Sequence, residues 1–145
     1  MRIAIGSDHG GFDQKEVIIK HLKEKGYEVQ DVGTYSKDSC HYPIFGAEVG
    51  KLVASKQCDF GIVVCTSGEG IAIAANKIKG IRCGIGYNDE VARLMRQHND
   101  ANVIAFGAKF MGDEEVIRRV DIFLSTEFEG GRHAERVKII SNLEN

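Results

Sequence analysis

The stretch Phe60 to Asn76, FGIVVCTSGEGIAIAAN, constrains what this chain can fold into more than any other. Gly61 to Cys65 is an unbroken small or apolar run, the pattern of a strand buried on both faces, as parallel strands under helices are. Thr66, Ser67, Gly68, Glu69 and Gly70 follow at once as a turn, and Ile71 to Ala75 then reads as the start of a helix. A strand that enters a glycine-bearing loop at a helix start turns unpaired backbone N–H groups and the positive end of a helix dipole toward one spot, which suits an anion. Cys65 ends the strand and would present its sulfur to that spot, and a thiol beside such amides tends toward thiolate.

The same strand, loop and helix grammar runs along the rest of the chain. Arg2 to Gly6 is a short strand leading into Ser7-Asp8-His9-Gly10-Gly11, and Phe12 to Lys25 carries Ile18 and Leu22 four apart among charges, with Gly26 placed to close the helix. Tyr27 to Val32 reads as a second strand. Gly33 to Tyr42 is polar and irregular until Pro43 opens a helix with Phe45, Val49, Leu52 and Val53 on one face. Ile81 to Gly86 reads as a fourth strand. Asn88 is an expected N-cap for a helix on which Val91, Leu94, Met95 and His98 recur at helical spacing. Asn102 to Phe106 reads as a fifth strand, Asp113 as the cap of a helix with an apolar stripe, and a last helix from about 131 to 143 sets Arg132 and Arg136 one turn apart. Alternating strands and helices predict an open parallel sheet covered on both sides, with ligands bound beyond the carboxyl ends of the strands.

Composition narrows the partners. A chain of 145 residues, 43% hydrophobic, is of single-domain size and buries a full core. Nineteen Lys and Arg against 21 Asp and Glu, with no long run of one sign, exclude a nucleic-acid footprint. No apolar run is long enough for a membrane span or a signal peptide, so a cytoplasmic protein is expected. Cys40, Cys58, Cys65 and Cys83 are widely spaced without a Cys-x-x-Cys pair, which argues for reduced thiols over a disulfide framework or a zinc site.

Individually the candidate site residues have plain structural readings. Gly68-x-Gly70 is followed by Ile73 where a dinucleotide fingerprint wants Gly or Ala, and no Gly-Lys-Ser/Thr ending makes a P-loop. Cys65 alone reads as a small buried hydrophobe, Asp8 and His9 as helix caps, His98 as a half-buried histidine and the paired arginines as a solvated face. Together, Asp, His, Cys, Ser and paired Arg are the types needed to open a sugar ring, move a carbon-bound proton, stabilise an enediolate and hold a phosphate.

Four segments, GSDHGG near the start, CTSGEGIAIAANKIKGIR, RQHNDANVIAFGA and EGGRHAERV, resemble the type B ribose-5-phosphate isomerases and their galactose-6-phosphate isomerase relatives, in order and over nearly the whole chain. The resemblance implies a single-domain α/β Rossmann-like three-layer sandwich with a five-stranded parallel sheet over residues 1–145. It further implies a homodimer or dimer of dimers with the C-terminal helix at the dimer interface, a site shared between subunits, and no metal or cofactor. By position, Cys65 matches the general base of one branch, Asp8 and His98 the ring-opening pair, and Ser67 with the amides of Thr66, Gly68, Glu69 and Gly70 the enediolate loop. Asn99 matches a ligand of substrate oxygens, His9, Arg132 and Arg136 match phosphate ligands, and Tyr42 an aromatic beside the sugar.

The departures from that family pattern set further expectations. The other branch places a glutamate base where this chain has Ile71, so the cysteine chemistry is assigned. Thr66 replaces the usual Gly and narrows the backbone angles of the anion loop; Glu69 adds a negative charge that is tolerable if it points outward. Lys109 replaces a phosphate-contacting Arg and loses its planar fork. His41 before Tyr42-Pro43 is similar to the galactose-6-phosphate relatives. The expected activity is aldose–ketose isomerisation of ribose 5-phosphate, with allose or galactose 6-phosphate as the alternative substrates and a non-catalytic small-molecule sensor domain as the alternative of another class.

Overall fold

The structure, a computed structural model, describes all residues from Met1 to Asn145. Five strands, β1 (Arg2–Ser7), β2 (Glu28–Asp31), β3 (Phe60–Cys65), β4 (Cys83–Ile85) and β5 (Val103–Gly107), form one parallel sheet in the order β2-β1-β3-β5-β4. Six helices follow in chain order: α1 (Phe12–Glu24), α2 (Tyr42–Ala54), α3 (Glu69–Asn76), α4 (Asp89–Gln97), α5 (Asp113–Ser125) and α6 (Arg132–Asn142). The expected Rossmann-like three-layer sandwich is thus what the chain adopts.

Alternation along the three central strands divides the core. Ile3, Ile5, Ile62, Val64, Ile104 and Phe106 face α1, α4 and α5, whereas Ala4, Val63, Cys65, Val103 and Ala105 face α2 and α3. The handedness of parallel crossovers accounts for which helix lies where. The chain steps outward from β1 to β2 through α1, then reverses past β1 to β3 through α2, so these two helices fall on opposite faces. The reversal leaves a crevice at the carboxyl ends of β1 and β3, where the strand order switches and where ligands of such sheets bind.

Local chemistry departs from expectation at the edges. Strands β2 and β4, the two sheet edges, are shorter than their apolar runs suggest, because an edge strand pairs only as far as its single neighbour reaches. Asp113 is the first residue of α5, not its cap; Gly112 occupies the cap, and the Asp113 carboxylate instead accepts a hydrogen bond from Gln14 Nε2 at 3.2 Å. Lys15, fully buried in α1, lies 2.9 Å from both carboxylate oxygens of Asp31 and 3.0 Å from Glu16, which ties the end of β2 to α1. A buried ammonium that lost Asp31 would be left with a heavy desolvation cost.

Candidate functional site

The loops after β1 and β3 meet at the switch point. Asp8 is 6% exposed; its Oδ1 accepts the Gly11 N–H at 3.1 Å, and its own N–H donates to Val64 O at 3.3 Å, so the carboxylate is held against the third strand. Cys65 closes β3 at 4% exposure, and its Sγ accepts the Gly68 N–H at 3.1 Å. That bond requires Gly68 to turn back on the strand, and it does so in the left-handed region (φ 83°), where a side chain would be strained and a Cβ would also meet the β5 backbone at 3.0 Å. Ser67 Oγ accepts the Glu69 N–H at 3.2 Å at the start of α3.

A cavity of about 310 Å³ opens between these loops, lined by Asp8, Tyr42, Cys65, Thr66, Ser67 and Gly70. The sulfur is therefore buried from bulk solvent yet borders a cleft. Tyr42, at the start of α2, lies with its ring against Gly70. The departures at Thr66 and Glu69 are accommodated without strain. Thr66 is not among the residues with positive φ, and its Oγ1 packs over Gly10, where a Cβ would approach to 2.3 Å. Glu69 is exposed in the first turn of α3, where the helix dipole favours an acid.

The remaining expected residues lie around this cleft or away from it. His9 is exposed beside the first loop, and its Nδ1 accepts the Cys40 N–H at 3.2 Å, which leaves Nε2 as the proton-bearing nitrogen of the neutral ring, facing outward as a donor. Lys109 and Gly10 border a separate polar cavity of about 270 Å³ with Asp13, Gln14 and Asp113. Asn99 shares a larger, mostly apolar cavity of about 650 Å³ with Ser67, Glu69, Tyr87 and Phe110.

His98 and the arginines form a second cluster. His98 caps the end of α4, half-buried, with Nε2 at 3.6 Å from Glu129 Oε1, and its ring stacks on His133 with centroids 4.2 Å apart and planes 12° apart. Arg132 and Arg136 are exposed on α6 next to His133. No cavity within the single chain holds both Cys65 and His98 or either arginine.

Two chemical questions are decided by these surroundings. Burial pushes the Cys83 thiol up to about 12 and raises Cys58 as well, so neither competes as a base at neutral pH. The side chains of His98, Glu129 and His133 offer ligand atoms within 4.8 Å of one another. Stacked rings, however, hold their in-plane lone pairs side by side and do not aim them at one point, which is poor geometry for a shared metal ion. Sequence reasoning did not single out His133 and Glu129, which lie against His98, or the Cys40 amide, which bonds His9; only the place of His133 beside Arg132 hinted at it.

Known proteins resemble this chain over nearly its whole length. Residues 3–140 match the model of the family described as Ribose/Galactose Isomerase. Ribose-5-phosphate isomerase B of Escherichia coli is 46% identical over 143 residues, covering 99% of this chain and 96% of that protein. The structure of Clostridium thermocellum ribose-5-phosphate isomerase B superposes with a TM-score of 0.98 at 49% identity, covering 99% of this chain and 97% of that one. The Mycoplasma genitalium ribose-5-phosphate isomerase B, solved with bound ribulose 5-phosphate, superposes with a TM-score of 0.95 at 40% identity, covering 99% and 95%.

Proposed function

The chain belongs to the ribose/galactose isomerase family, and from that premise we propose that it interconverts ribose 5-phosphate and ribulose 5-phosphate through a cis-enediolate. One observation carries the assignment of the base: the Cys65 sulfur borders a cleft shared with Asp8, Tyr42 and Ser67 and takes the Gly68 amide of the following loop. Opening of the furanose ring needs a proton delivered to the ring oxygen as the C1–O bond breaks, and removal of the C1 hydroxyl proton; His98 supplies the first and Asp8 accepts the second. Cys65 thiolate then takes the C2 proton, the electron pair moves onto the C1 oxygen as the enediolate forms, and a proton passes from O2 to O1. Return of the thiol proton to C1 leaves the ketose.

The enediolate charge falls to Ser67 and the amides of Thr66 to Gly70, preorganised donors of the kind that stabilise oxyanions. His9, Lys109, Arg132 and Arg136 hold the phosphate, Asn99 holds sugar oxygens, and Tyr42 flanks the ring. Every step uses protein groups alone, with no cofactor. Because the two clusters do not meet within one chain, a second copy completes each site, with α6 at the interface; exposed Ile139 and Ile140, with Leu143 just after the helix, give it an apolar side to bury. We take residues 1–145 as one sugar-phosphate isomerase domain. No helix is long and apolar enough to cross a membrane, and four free cysteines suit a reducing cytoplasm.

Incubating the protein with ribose 5-phosphate in deuterium oxide tests the reading. Ribulose 5-phosphate carrying deuterium at the reacting carbon is expected, and no conversion at all would overturn it in favour of a binding domain. A second substrate class is favoured by His41 ahead of Tyr42-Pro43, which is similar to the galactose-6-phosphate relatives. Comparison of kcat/KM across ribose, allose and galactose phosphates separates the two: a higher value for either six-carbon sugar would displace the pentose assignment.

A further inference from the structure

The stacked histidines carry a role that the reading above leaves unassigned. His133 is 8% exposed, in the first turn of α6, and its ring lies flat on that of His98, which otherwise hangs from the end of α4 with its side chain 38% exposed. We propose that His133 is a positioning residue for ring opening: its flat, uncharged ring holds the His98 imidazole in place so that the single proton of the pair is delivered from His98 to the sugar ring oxygen. The proposal rests on the isomerase reading and adds to it the division of labour within the pair.

Three features support the uncharged state of His133. Two protonated rings with centroids 4.2 Å apart would repel, so the stack favours one proton at most. The first turn of α6 is the positive end of a helix dipole, which disfavours a cation there. The groups facing His133 are His98 from the end of α4, Glu129 from the segment before α6, and Arg132 and Arg136 on α6 itself; burial first, then the charges of His98 and Arg132, with Arg136 adding and Glu129 opposing, hold its ring below the usual histidine range. Glu129 lies beside His98 Nε2, at 3.6 Å. When the proton leaves Nε2 for the ring oxygen, the C1–O bond breaks and the C1 hydroxyl proton passes to Asp8, so charge is conserved across the step.

Ribulose 5-phosphate separates positioning from structure, because its carbonyl is at C2 and its O5 is phosphorylated, so it has no furanose ring to open. Deuterium exchange at its C1 reports proton transfer by Cys65 alone, and net conversion of ribose 5-phosphate reports ring opening as well. In His133→Ala, net conversion is expected to fall about tenfold, a fraction of what a general acid contributes, while C1 exchange stays near wild type. His133→Phe, which keeps a flat ring without a proton, should recover most of the conversion. In protein labelled with nitrogen-15 at histidine, the His133 ring should be neutral at pH 7, and its titration should move up in His98→Gln. Equal loss of exchange and conversion in both His133 variants, no loss in His133→Ala, or a protonated His133 at pH 7 would overturn the proposal. Absence of C1 exchange in the wild-type protein would instead remove the isomerase reading beneath it.

Discussion

The loops after β1 and β3 and the segment from Glu129 to Asn142 are both rich in expected site residues, yet they are held by opposite means. Asp8 directly follows β1 and Cys65 ends β3, strands whose residues Ile5, Val63 and Val64 are fully buried, and each is fixed by a hydrogen bond from a nearby amide. Helix α6 buries only His133 and leaves Arg132, Arg136, Ile139 and Ile140 exposed. In the proposed scheme the first region is a half-site preorganised by the core of its own chain. In the same scheme the second is a phosphate grip displayed on a surface, which acquires its substrate only when another copy brings a cleft to it. On that scheme, chemistry that tolerates little displacement sits where packing is tightest, and phosphate capture, which charge can steer, sits where packing is loosest.

Substitutions should separate the two regions by the kind of damage they do. Cys65→Ala removes the base, and turnover should fall by about 10⁴-fold, the upper range for a general base, with binding of inorganic phosphate by calorimetry unchanged. Ser67→Ala deletes one enediolate donor and should lower kcat by about 10²-fold with little change in KM. If Ser67→Ala raised KM instead, the half-site would be a binding surface and the contrast would fail. Arg132→Ala should act the other way, raising KM about tenfold with kcat nearly kept, because the phosphate is held equally in ground and transition states.

The smallest effect concerns stability away from both regions. The Arg118 guanidinium, whose Nε donates to Asp89 at 2.7 Å, and then Arg119 hold the Asp89 carboxyl below its ordinary value against an opposing effect of burial. A carboxylate with a lowered folded-state value contributes stability that is present above its unfolded value and is lost as pH falls through the folded one. In Arg118→Ala that loss should begin at higher pH, seen as a small upward shift of the acid-unfolding midpoint below about pH 4. Activity at neutral pH should be unaffected.

Much of the first region was legible because its residues are contiguous and its central strand is an unbroken apolar run. FGIVVC reads as a buried strand and Gly68 as a turn, but the turn ends earlier than its glycines suggest: Glu69 and Gly70 already belong to α3. Thr66 was harder to judge, since whether a Cβ fits depends on Gly10 of another loop. The cap of α5 was misjudged at Asp113 because an acid suits the cap and the first turn alike, and the tertiary hydrogen bond from Gln14 decides between them. The second region left fainter marks. Arg132 and Arg136 announce themselves by helical spacing, but His133 meets His98 only through the packing of α6 against the end of α4, and no local period records that contact.

The claim that these two regions act on one substrate from different chains is tested most directly by mixing them. Cys65→Ala and the double variant Arg132→Ala/Arg136→Ala, each inactive at substrate levels well below KM, would be co-expressed and assayed for ribose 5-phosphate isomerisation. If each site takes its sulfur from one copy and its arginines from the other, half of the randomly paired dimers carry one intact site, and about a quarter of wild-type activity returns by the symmetry of such an interface. Activity no higher than the sum of the separate variants would contradict the account and confine each site to a single chain.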